Sequence, residues 1–359
     1  MELIYTGKKR RKDIIDKANS ISKQIKNING SAFLFGDNFI GLSSLLNSGF
    51  KDKIDLVYID PPFNTNQVFL VNDDRVNTIS RSKLGYVAYE DIYELETYLE
   101  FIRERIILIY ELLSEEGSLY FHIDCKIGHY IKLLLDEVFG KSNFINDISR
   151  IKSNPKNFSR RAFGNEKDMD LFYAKNHRKN IFNDVRIAMT EEELCKKFTK
   201  KDDHGYYNTV PLHAPGESDG PTGQPWRGMK PPAGRHWRTI PAEFDVLDDQ
   251  GKIEWSKTGN PRIKKYAQDH KGKKIQDIWK YKDPQNPMYP TQKNLSMLDM
   301  IVKMSSNPNS IVMDCFAGSG TTLAAAQMNH RRFIGMDKSE VALKAVQERH
   351  LSNVEFIKF

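Results

Sequence analysis

The sequence predicts an α/β protein with a doubly wound, mostly parallel sheet, and three observations support this prediction. Strand-like runs alternate with amphipathic, helix-like runs along most of the 359 residues, as in sheets that helices cover on both faces. Several strand-like runs end at an acidic residue, and such strand ends are where these sheets bind ligands. The alternation breaks at residues 211–234, and the chain is long enough for an accessory lobe beside one large core.

The elements of the first half are predicted from the spacing of apolar residues. Short apolar runs predict strands, and apolar residues that recur every three or four positions predict helices. The strands are expected at residues 32–35, 54–59, 118–123 and 170–174, and the helices at residues 40–46, 94–114 and 130–138. Gly117 is expected to stop the second helix. Residues 64–90 form a long polar stretch, which predicts a loop that is either functional or mobile.

The second half begins with an irregular stretch. Residues 211–234 hold six prolines and five glycines, which exclude a regular helix or a central strand there. Residues 244–247 and 252–255 flank Asp-Asp-Gln-Gly and predict a hairpin. Order then returns with helices at 291–303 and 323–328, a last helix that ends near residue 350, and strands at 310–313, 332–336 and 353–359.

The composition is that of a soluble chain with room for about two domains. Hydrophobic residues make up 39% and charged residues 28%, and no run approaches the roughly 18 apolar residues of a membrane span. We therefore expect a cytoplasmic protein without membrane contact. The three cysteines have no spacing typical of a zinc cluster or a disulfide framework, and no metal site is predicted.

Basic residues are concentrated in the middle of the chain. The net charge is +7, and residues 150–287 hold 28 Lys and Arg against 19 Asp and Glu, a balance of +9. A localised positive field suits a polyanion such as DNA, although a solvated surface would carry the same charge. A second basic cluster, residues 8–12, is typical of a mobile, solvated arm, which we place at residues 1–30.

A glycine-containing turn carries the first functional signal. Asp314 ends one strand, Gly318 and Gly320 follow, and Asp337 ends the next strand, as in units that bind a nucleotide-type ligand. Leu323 stands where a dinucleotide fingerprint needs its third glycine, and a P-loop lysine is absent. An acid beside the glycines suits a ligand with a cationic amino-acid end, which favours S-adenosylmethionine. The alternative is that the glycines merely allow a tight turn.

The tetrapeptide Asp60-Pro61-Pro62-Phe63 carries the second signal. An enzyme that methylates an exocyclic amine must orient a nitrogen lone pair that is otherwise delocalised into the ring. The carboxylate of Asp60 and the carbonyl of Pro61 would each accept one N–H, while Phe63 stacks on the base. A strand that simply ends at two prolines, with a capping aspartate, is the alternative.

Together the two motifs resemble the amino-group DNA methyltransferases, which carry (Asp/Asn/Ser)-Pro-Pro-(Tyr/Phe) and an FxGxG loop. The loop is present here as Phe316-Ala317-Gly318-Ser319-Gly320, and the order of the motifs is similar to the permuted β group. The resemblance implies a circularly permuted, S-adenosylmethionine-dependent methyltransferase fold. We accordingly divide the chain into a catalytic half at 31–177, a target-recognition lobe at 178–287 and a cofactor-binding half at 288–359.

The resemblance also implies roles for individual residues. Asp60, Pro61, Pro62 and Phe63 would bind and orient a flipped-out base. The cofactor would be held by residues from both ends of the chain, namely Asp37, Thr291, Lys293, Asp314, Phe316, Ala317, Gly318, Gly320, Thr321 and Asp337. Within this set Asp337 would hold the ribose, and Thr291 with Lys293 would meet the cofactor's carboxylate. Asn294 departs from the proline that usually follows. All these roles require that the two motifs line one cleft.

The substrate follows from the same resemblance. An aspartate at the first motif position goes with adenine N6 or cytosine N4, and Asp-Pro-Pro-Phe favours adenine in double-stranded DNA. Residues 234–279 are similar to the modification subunits of type III restriction systems, which suggests a restriction subunit and a homodimer as further partners. Cytosine N4 transfer, an RNA or protein amino-group methyltransferase, and a catalytically silent DNA-binding module stay open. Carbon-5 transfer is disfavoured, because no cysteine follows a proline.

Overall fold

The structure, a computed structural model, describes residues 2–21, 25, 28, 30–63, 67–72, 75–76, 86–91, 94–153, 161, 163–284, 287, 289 and 292–359. The chain divides into two compact units, Met1–Val185 with Gln276–Phe359, and Arg186–Ile275. None of the helices in the described ranges combines the length and the apolarity that crossing a membrane needs.

The elements are numbered along the chain. The helices are α1 (Arg11–Asn19), α2 (Asn38–Leu45), α3 (Leu95–Leu112), α4 (Gly128–Phe139), α5 (Glu191–Lys197), α6 (Pro241–Asp249), α7 (Leu295–Ser305), α8 (Thr321–Met328) and α9 (Glu340–Glu348). The strands are β1 (Ser31–Phe35), β2 (Ile54–Ile59), β3 (Gln67–Asn72), β4 (Arg75–Val76), β5 (Tyr86–Asp91), β6 (Leu113–Ile123), β7 (Phe144–Ile151), β8 (Lys167–Ala174), β9 (Arg186–Ile187), β10 (Lys200–Asp202), β11 (Gly205–Pro211), β12 (His213–Pro215), β13 (Arg235–Trp237), β14 (Ile253–Trp255), β15 (Pro261–Tyr266), β16 (Lys273–Lys274), β17 (Ile278–Trp279), β18 (Ile311–Asp314), β19 (Arg332–Asp337) and β20 (Val354–Lys358).

A nine-stranded sheet forms the centre of the first unit, in the order β17-β7-β8-β6-β2-β18-β19-β1-β20. Only β8 runs antiparallel to its neighbours β6 and β7 within this sheet, and the other neighbours pair in parallel. The predicted mostly parallel sheet is confirmed. β2 lies directly beside β18, with Val57 opposite Met313, so the turns that follow these two strands lie at the same edge.

Helices cover both faces of this sheet. Leu119 and Phe121 of β6 are fully buried in a core cluster that also contains residues of α1 to α4. Tyr120, which alternation places on the opposite face, bonds through its hydroxyl to Ser305 at the end of α7, at 2.9 Å. Strands buried on both faces are nearly continuous apolar runs, which is why the prediction for residues 54–59 matches β2 to the residue.

Two predictions for the first half are wrong. Among the described residues of 64–90, β3, β4 and β5 form a three-stranded antiparallel sheet instead of a loop, because valine and aromatic residues favour strands despite polar surroundings. Gly117 lies inside β6 and does not end a helix, since α3 stops at Leu112. A Cβ at Gly117 would lie only 2.8 Å from the carbonyl oxygen of Ile54, so the close pairing with β2 requires glycine.

The N-terminal basic cluster is docked on the first unit, whereas the sequence predicted a mobile arm. Lys9 lies 2.6 Å from Glu104, and Arg11 lies 2.8 Å from Glu111, both acids belonging to α3. Ile14 of α1 is fully buried in the core cluster. The prediction failed because a run of cations does not show that its acidic partners lie some hundred residues further along.

The second unit has a small core of its own beside a four-stranded sheet in the order β10-β11-β15-β14. Six buried side chains form this core: Leu212, Trp226, Trp237, Phe244, Ile253 and Ile263. The predicted hairpin is wrong, because residues 244–247 belong to α6, which begins at Pro241 and buries Phe244. The unit is also narrower than the predicted lobe, since β17 pairs with β7 in the first unit.

Candidate active site at the carboxyl edge of the sheet

Four neighbouring parallel strands end beside acidic residues at one edge of the central sheet. Across the sheet, Asp60 follows β2, Asp314 ends β18, Asp337 ends β19 and Asp37 follows β1. The carboxyl ends of parallel strands form the crevice in which such sheets bind ligands. The two sequence motifs, far apart along the chain, therefore lie next to each other, as their assigned roles require.

Asp60 has one oxygen in an ion pair and one without a partner. Its Oδ2 lies 2.7 Å from Nζ of Lys293, and the two side chains are 16% and 7% exposed. Its Oδ1 is buried and has no hydrogen-bond partner among the described residues. An unsatisfied buried acceptor costs about 1–3 kcal/mol, so a donor that reached this oxygen would bind favourably.

The rest of the tetrapeptide is held by two residues that the sequence did not indicate. The hydroxyl of Tyr98 on α3 donates a hydrogen bond of 2.6 Å to the carbonyl of Pro62. The ring of Phe63 stacks on His122 of β6, with 5.7 Å between the ring centroids and 19° between the planes. The turn after β2 is thus fixed at its backbone and at its aromatic ring.

The glycine loop between β18 and α8 adopts a left-handed backbone at both glycines. Gly318 has φ +48° and Gly320 has φ +71°, a region that favours glycine. A Cβ at Gly318 would lie 3.2 Å from the ring of Tyr289, and one at Gly320 would lie 2.8 Å from Val346. A side chain on either residue would therefore crowd a neighbouring side chain, so both the backbone conformation and the packing of the loop favour glycine.

Asp314 lies beneath this loop and stabilises it. One carboxyl oxygen accepts a bond of 3.0 Å from the backbone N–H of Phe316, and the other accepts a bond of 2.6 Å from the hydroxyl of Thr322. Burial, together with the nearby charges of Asp60 and Asp337, raises the pKa of Asp314 to about 7 against the lowering effect of these two bonds. The group therefore changes charge near neutral pH.

The remaining two acids are more accessible. Asp337 accepts the backbone N–H of Gly318 at 2.9 Å, and burial raises its pKa. Because a carboxylate can accept about four hydrogen bonds, this partly buried group keeps capacity for ligand hydroxyls. Asp37 caps α2 through the backbone N–H of Phe39 at 2.8 Å and is 45% exposed.

The other predicted cofactor residues fall into three groups. Phe316 is partly buried and contacts Phe101, with 6.1 Å between the ring centroids. Ala317 and Thr321 are buried, so only their backbone or a small part of their surface meets the crevice. Lys293 lies on Asp60, and Thr291 lies outside the described residues. The structure thus brings Lys293 to the base-binding side of the predicted site.

Arg349, at the end of α9, is a site residue that the sequence did not indicate. Its guanidinium donates to the carbonyl oxygen of Ser319 and, at 2.9 Å, to the hydroxyl of Thr321, so it holds the glycine loop from one side. For His122, the sequence signal that could have identified it is a histidine within an apolar strand, which needs buried partners.

Comparison with known proteins gives a consistent result. Residues 54–348 match the model of a family described as DNA methylase. The chain is 39% identical over 361 residues to the type II methyltransferase M.EcaI of Enterobacter cloacae, covering 97% of this chain and 77% of that protein. It is 26% identical over 329 residues to the type II methyltransferase M.KpnI of Klebsiella pneumoniae, covering 82% of this chain and 76% of that protein. The Mod subunit of the type III restriction-modification enzyme EcoP15I of Escherichia coli is 24% identical over 381 residues, which span 87% of this chain and 58% of the subunit.

Proposed function

The chain belongs to the N6/N4 family of DNA methylases, and from this premise we propose that it methylates N6 of adenine in double-stranded DNA. It is a DNA amino-methyltransferase of the restriction-modification type, and its cofactor is S-adenosylmethionine. We propose adenine as the target base, and we propose the roles of the individual residues.

The residues at the crevice fit S-adenosylmethionine. The glycine loop would pass close to the cofactor, because neither Gly318 nor Gly320 carries a side chain. Asp337 would accept the ribose hydroxyls, and the cationic end of the cofactor would favour the ionised form of the nearby Asp314. When bound, the cofactor supplies an electrophilic methyl group. The chain itself has to hold the target amine and exclude water.

The observation that carries the proposal is the buried Oδ1 of Asp60, which has no partner among the described residues and follows the strand beside the one that leads into the glycine loop. We infer that this oxygen accepts one amino N–H of the target base and that the carbonyl of Pro61 accepts the other. The nitrogen lone pair is then released from conjugation with the ring and faces the cofactor side. Phe63 would stack on the base, which has to leave the duplex at a cost of a few kcal/mol.

Two features of the sequence favour adenine over cytosine. Aspartate with phenylalanine in the tetrapeptide is, by resemblance, a combination found mostly in adenine methyltransferases. By the same resemblance, residues 234–279 are similar to the modification subunits of type III systems, which methylate adenine. The Mod relative belongs to such a system by name. We further propose that residues 186–275 form the target-recognition lobe, and that the chain works as a homodimer or together with a restriction subunit.

Methylation of duplex DNA followed by nucleoside analysis tests the target base. The purified chain is incubated with isotope-labelled S-adenosylmethionine and duplex DNA of diverse sequence, and the digested nucleosides are identified by mass spectrometry. We expect labelled N6-methyladenine. Labelled N4-methylcytosine would overturn the choice of adenine, and labelling of RNA without labelling of DNA would overturn the proposal altogether.

Replacing Asp60 tests the assigned site. Asp60→Ala should lower the transfer rate by roughly 10²-fold or more, because the amine loses an acceptor that orients it. The Kd for S-adenosylmethionine, measured by calorimetry, should change by less than about threefold, since Asp60 contacts the base in this proposal. Asp55→Ala, at the opposite end of the same strand, is the matched control. Equal loss of transfer and of cofactor binding in Asp60→Ala would contradict the assignment.

A further inference from the structure

A group of buried charged side chains lies behind Phe63. His122 of β6, Asp168 and Asp170 of β8, and Arg150 of β7 are each at most 2% exposed. Cross-strand pairing aligns them, with His122 opposite Asp170 and Arg150 opposite Asp168. They share the face of the sheet that carries Tyr120, away from the α1 to α4 cluster.

Both ring nitrogens of His122 face carboxylates. Nδ1 lies 3.0 Å from Oδ1 of Asp170, and Nε2 lies 3.2 Å from Oδ2 of Asp168. A neutral imidazole has only one N–H, whereas both of these partners are acceptors when ionised, so only the imidazolium can donate to both. The geometry therefore favours a positively charged ring in a fixed orientation.

The electrostatic surroundings agree with this charge. Burial alone would lower the pKa of His122, and Lys293 would lower it too, but Asp170 and then Asp168 outweigh both, so the pKa lies above its usual value. Burial would raise the pKa of Asp168, yet the bond from His122 and the charges of Lys152 and Lys293 hold that pKa below its usual value. Both members of the His122–Asp168 pair are thus charged.

A buried ion pair is a poor way to gain stability. Its desolvation often costs as much as its attraction returns, and well-packed apolar residues at such positions are frequently as stable or more so. Here the charged ring also contacts a residue of the proposed site, since it stacks on Phe63 at 5.7 Å. A cation over an aromatic face is attracted by the ring's quadrupole, so the charged imidazole favours one orientation of the Phe63 ring.

We propose that His122, held as an imidazolium between Asp168 and Asp170, is a positioning residue that fixes the ring of Phe63 for stacking on the extruded base. This inference rests on the proposed function, which assigns the base to Phe63. His122 touches neither the base nor the cofactor in this proposal, and it acts only through the aromatic ring that it supports.

The charge predicts a direction for pH dependence. Because the pKa of His122 is raised on folding, the imidazolium is fully present below the unfolded value of about 6.5 and is lost as pH rises through the raised value. The kcat/KM for DNA should therefore decline on the alkaline side. In Asp170→Asn the imidazolium loses one carboxylate, so this decline should move to lower pH. The other charged or titratable groups that face the ring and its partners are Asp168, Lys152, Arg150, Lys293 and Tyr58, whose ring centroid lies 6.4 Å from that of His122.

Labelling the histidine rings of the protein with ¹⁵N allows a direct test of the charge. Long-range proton–nitrogen spectra at pH 7 should show both nitrogens of the His122 ring protonated, and His122→Gln identifies the signal by its loss. A nitrogen without a proton at pH 7 would overturn the proposal. This measurement needs no variant to be active, and Asp170→Asn provides the pH shift if His122→Gln does not fold.

Kinetics tests the positioning role. His122→Gln should lower kcat/KM for DNA by about tenfold, which corresponds to 1.4 kcal/mol, while the Kd for S-adenosylmethionine changes less than twofold. His129→Gln, an exposed histidine on α4 of the same unit, should leave both quantities unchanged. Unchanged kcat/KM in a folded His122→Gln protein would overturn the positioning role. Failure of the unmodified protein to methylate DNA would instead overturn the proposed function.

Discussion

At the scale of single residues, Lys293 forms an ion pair with Asp60 that the two motifs alone do not predict. The family resemblance assigns Lys293 to the carboxylate of the cofactor, and in the structure its ammonium lies 2.7 Å from Asp60. The sequence does predict that both residues belong to the site. It does not predict their contact, because that depends on how the turn after β2 meets the segment before α7.

The variant Lys293→Gln distinguishes two roles for Lys293, the orientation of Asp60 and the binding of the cofactor. If the ion pair orients Asp60, Lys293→Gln should lower the single-turnover rate at saturating S-adenosylmethionine by about tenfold, and Lys293→Arg should restore part of it. If Lys293 holds the cofactor, the Kd for S-adenosylmethionine should rise while that rate is kept. We expect the first result. Lys303→Gln, on the exposed side of α7, is the control and should change neither quantity.

Asn294 shows how a departure from the family pattern is accommodated. Its φ is −66°, which is the value that a proline would fix, and its side chain accepts a bond of 3.2 Å from the backbone N–H of Met297. Asn294 therefore begins α7 as an N-cap, and the helix starts one residue later, at Leu295. With asparagine at this position, the adjacent Lys293 still contacts Asp60.

At the scale of elements, the bounds of strands that are buried on both faces were predicted more accurately than those of other elements. β2, β18 and β19 were predicted nearly to the residue, because strands covered on both faces are apolar throughout. The predictions failed where a few residues fit two structures equally well. Residues 244–247 have the composition of a strand, yet the preceding Pro241 begins a helix, and only the core formed with Trp226 shows which choice is stable.

The docking of α1 is an element-scale feature with a measurable consequence. Ile14→Ala should lower the free energy of unfolding by about 2–4 kcal/mol, because a fully buried side chain would leave a cavity. Lys12→Ala, two residues away and exposed, should change it by less than about 0.5 kcal/mol. Urea denaturation of both variants measures the difference. Equal, small effects would mean that the segment is a mobile arm after all.

At the scale of the whole molecule, the basic surplus is spread more widely than the sequence suggested. Residues 186–275 hold 17 Lys and Arg against 13 Asp and Glu, whereas residues 150–185 hold nine against four. The larger part of the +9 balance therefore lies in the first unit. Within the second unit several cations are paired, as Lys264 is with Asp202 at 2.8 Å and Lys200 is with Glu254.

Two neighbouring lysines of β15, Lys264 and Lys265, differ in their ion pairing. Lys265 is exposed, and no ion pair involves it among the described residues, so Lys265→Gln should reduce the slope of log K against log salt for duplex DNA by about 1. The double variant Lys264→Gln with Asp202→Asn removes a pair without changing net charge, and its slope should stay unchanged. Fluorescence anisotropy across a salt series measures both. An unaltered slope in Lys265→Gln would exclude this lysine from phosphate contact.

The strand order also governs when the site can come into existence. β1 lies between β19 and β20, and β2 lies beside β18, so strands that precede residue 60 are enclosed by strands that follow residue 310. A nascent chain that has reached only α7 already contains Asp60 but offers the bare edges of β1 and β2, which other polypeptides could pair with. The capacity to methylate therefore cannot appear before β18, β19 and β20 have been translated, and until then the nascent chain contains Asp60 but lacks the strands that complete the proposed cofactor site.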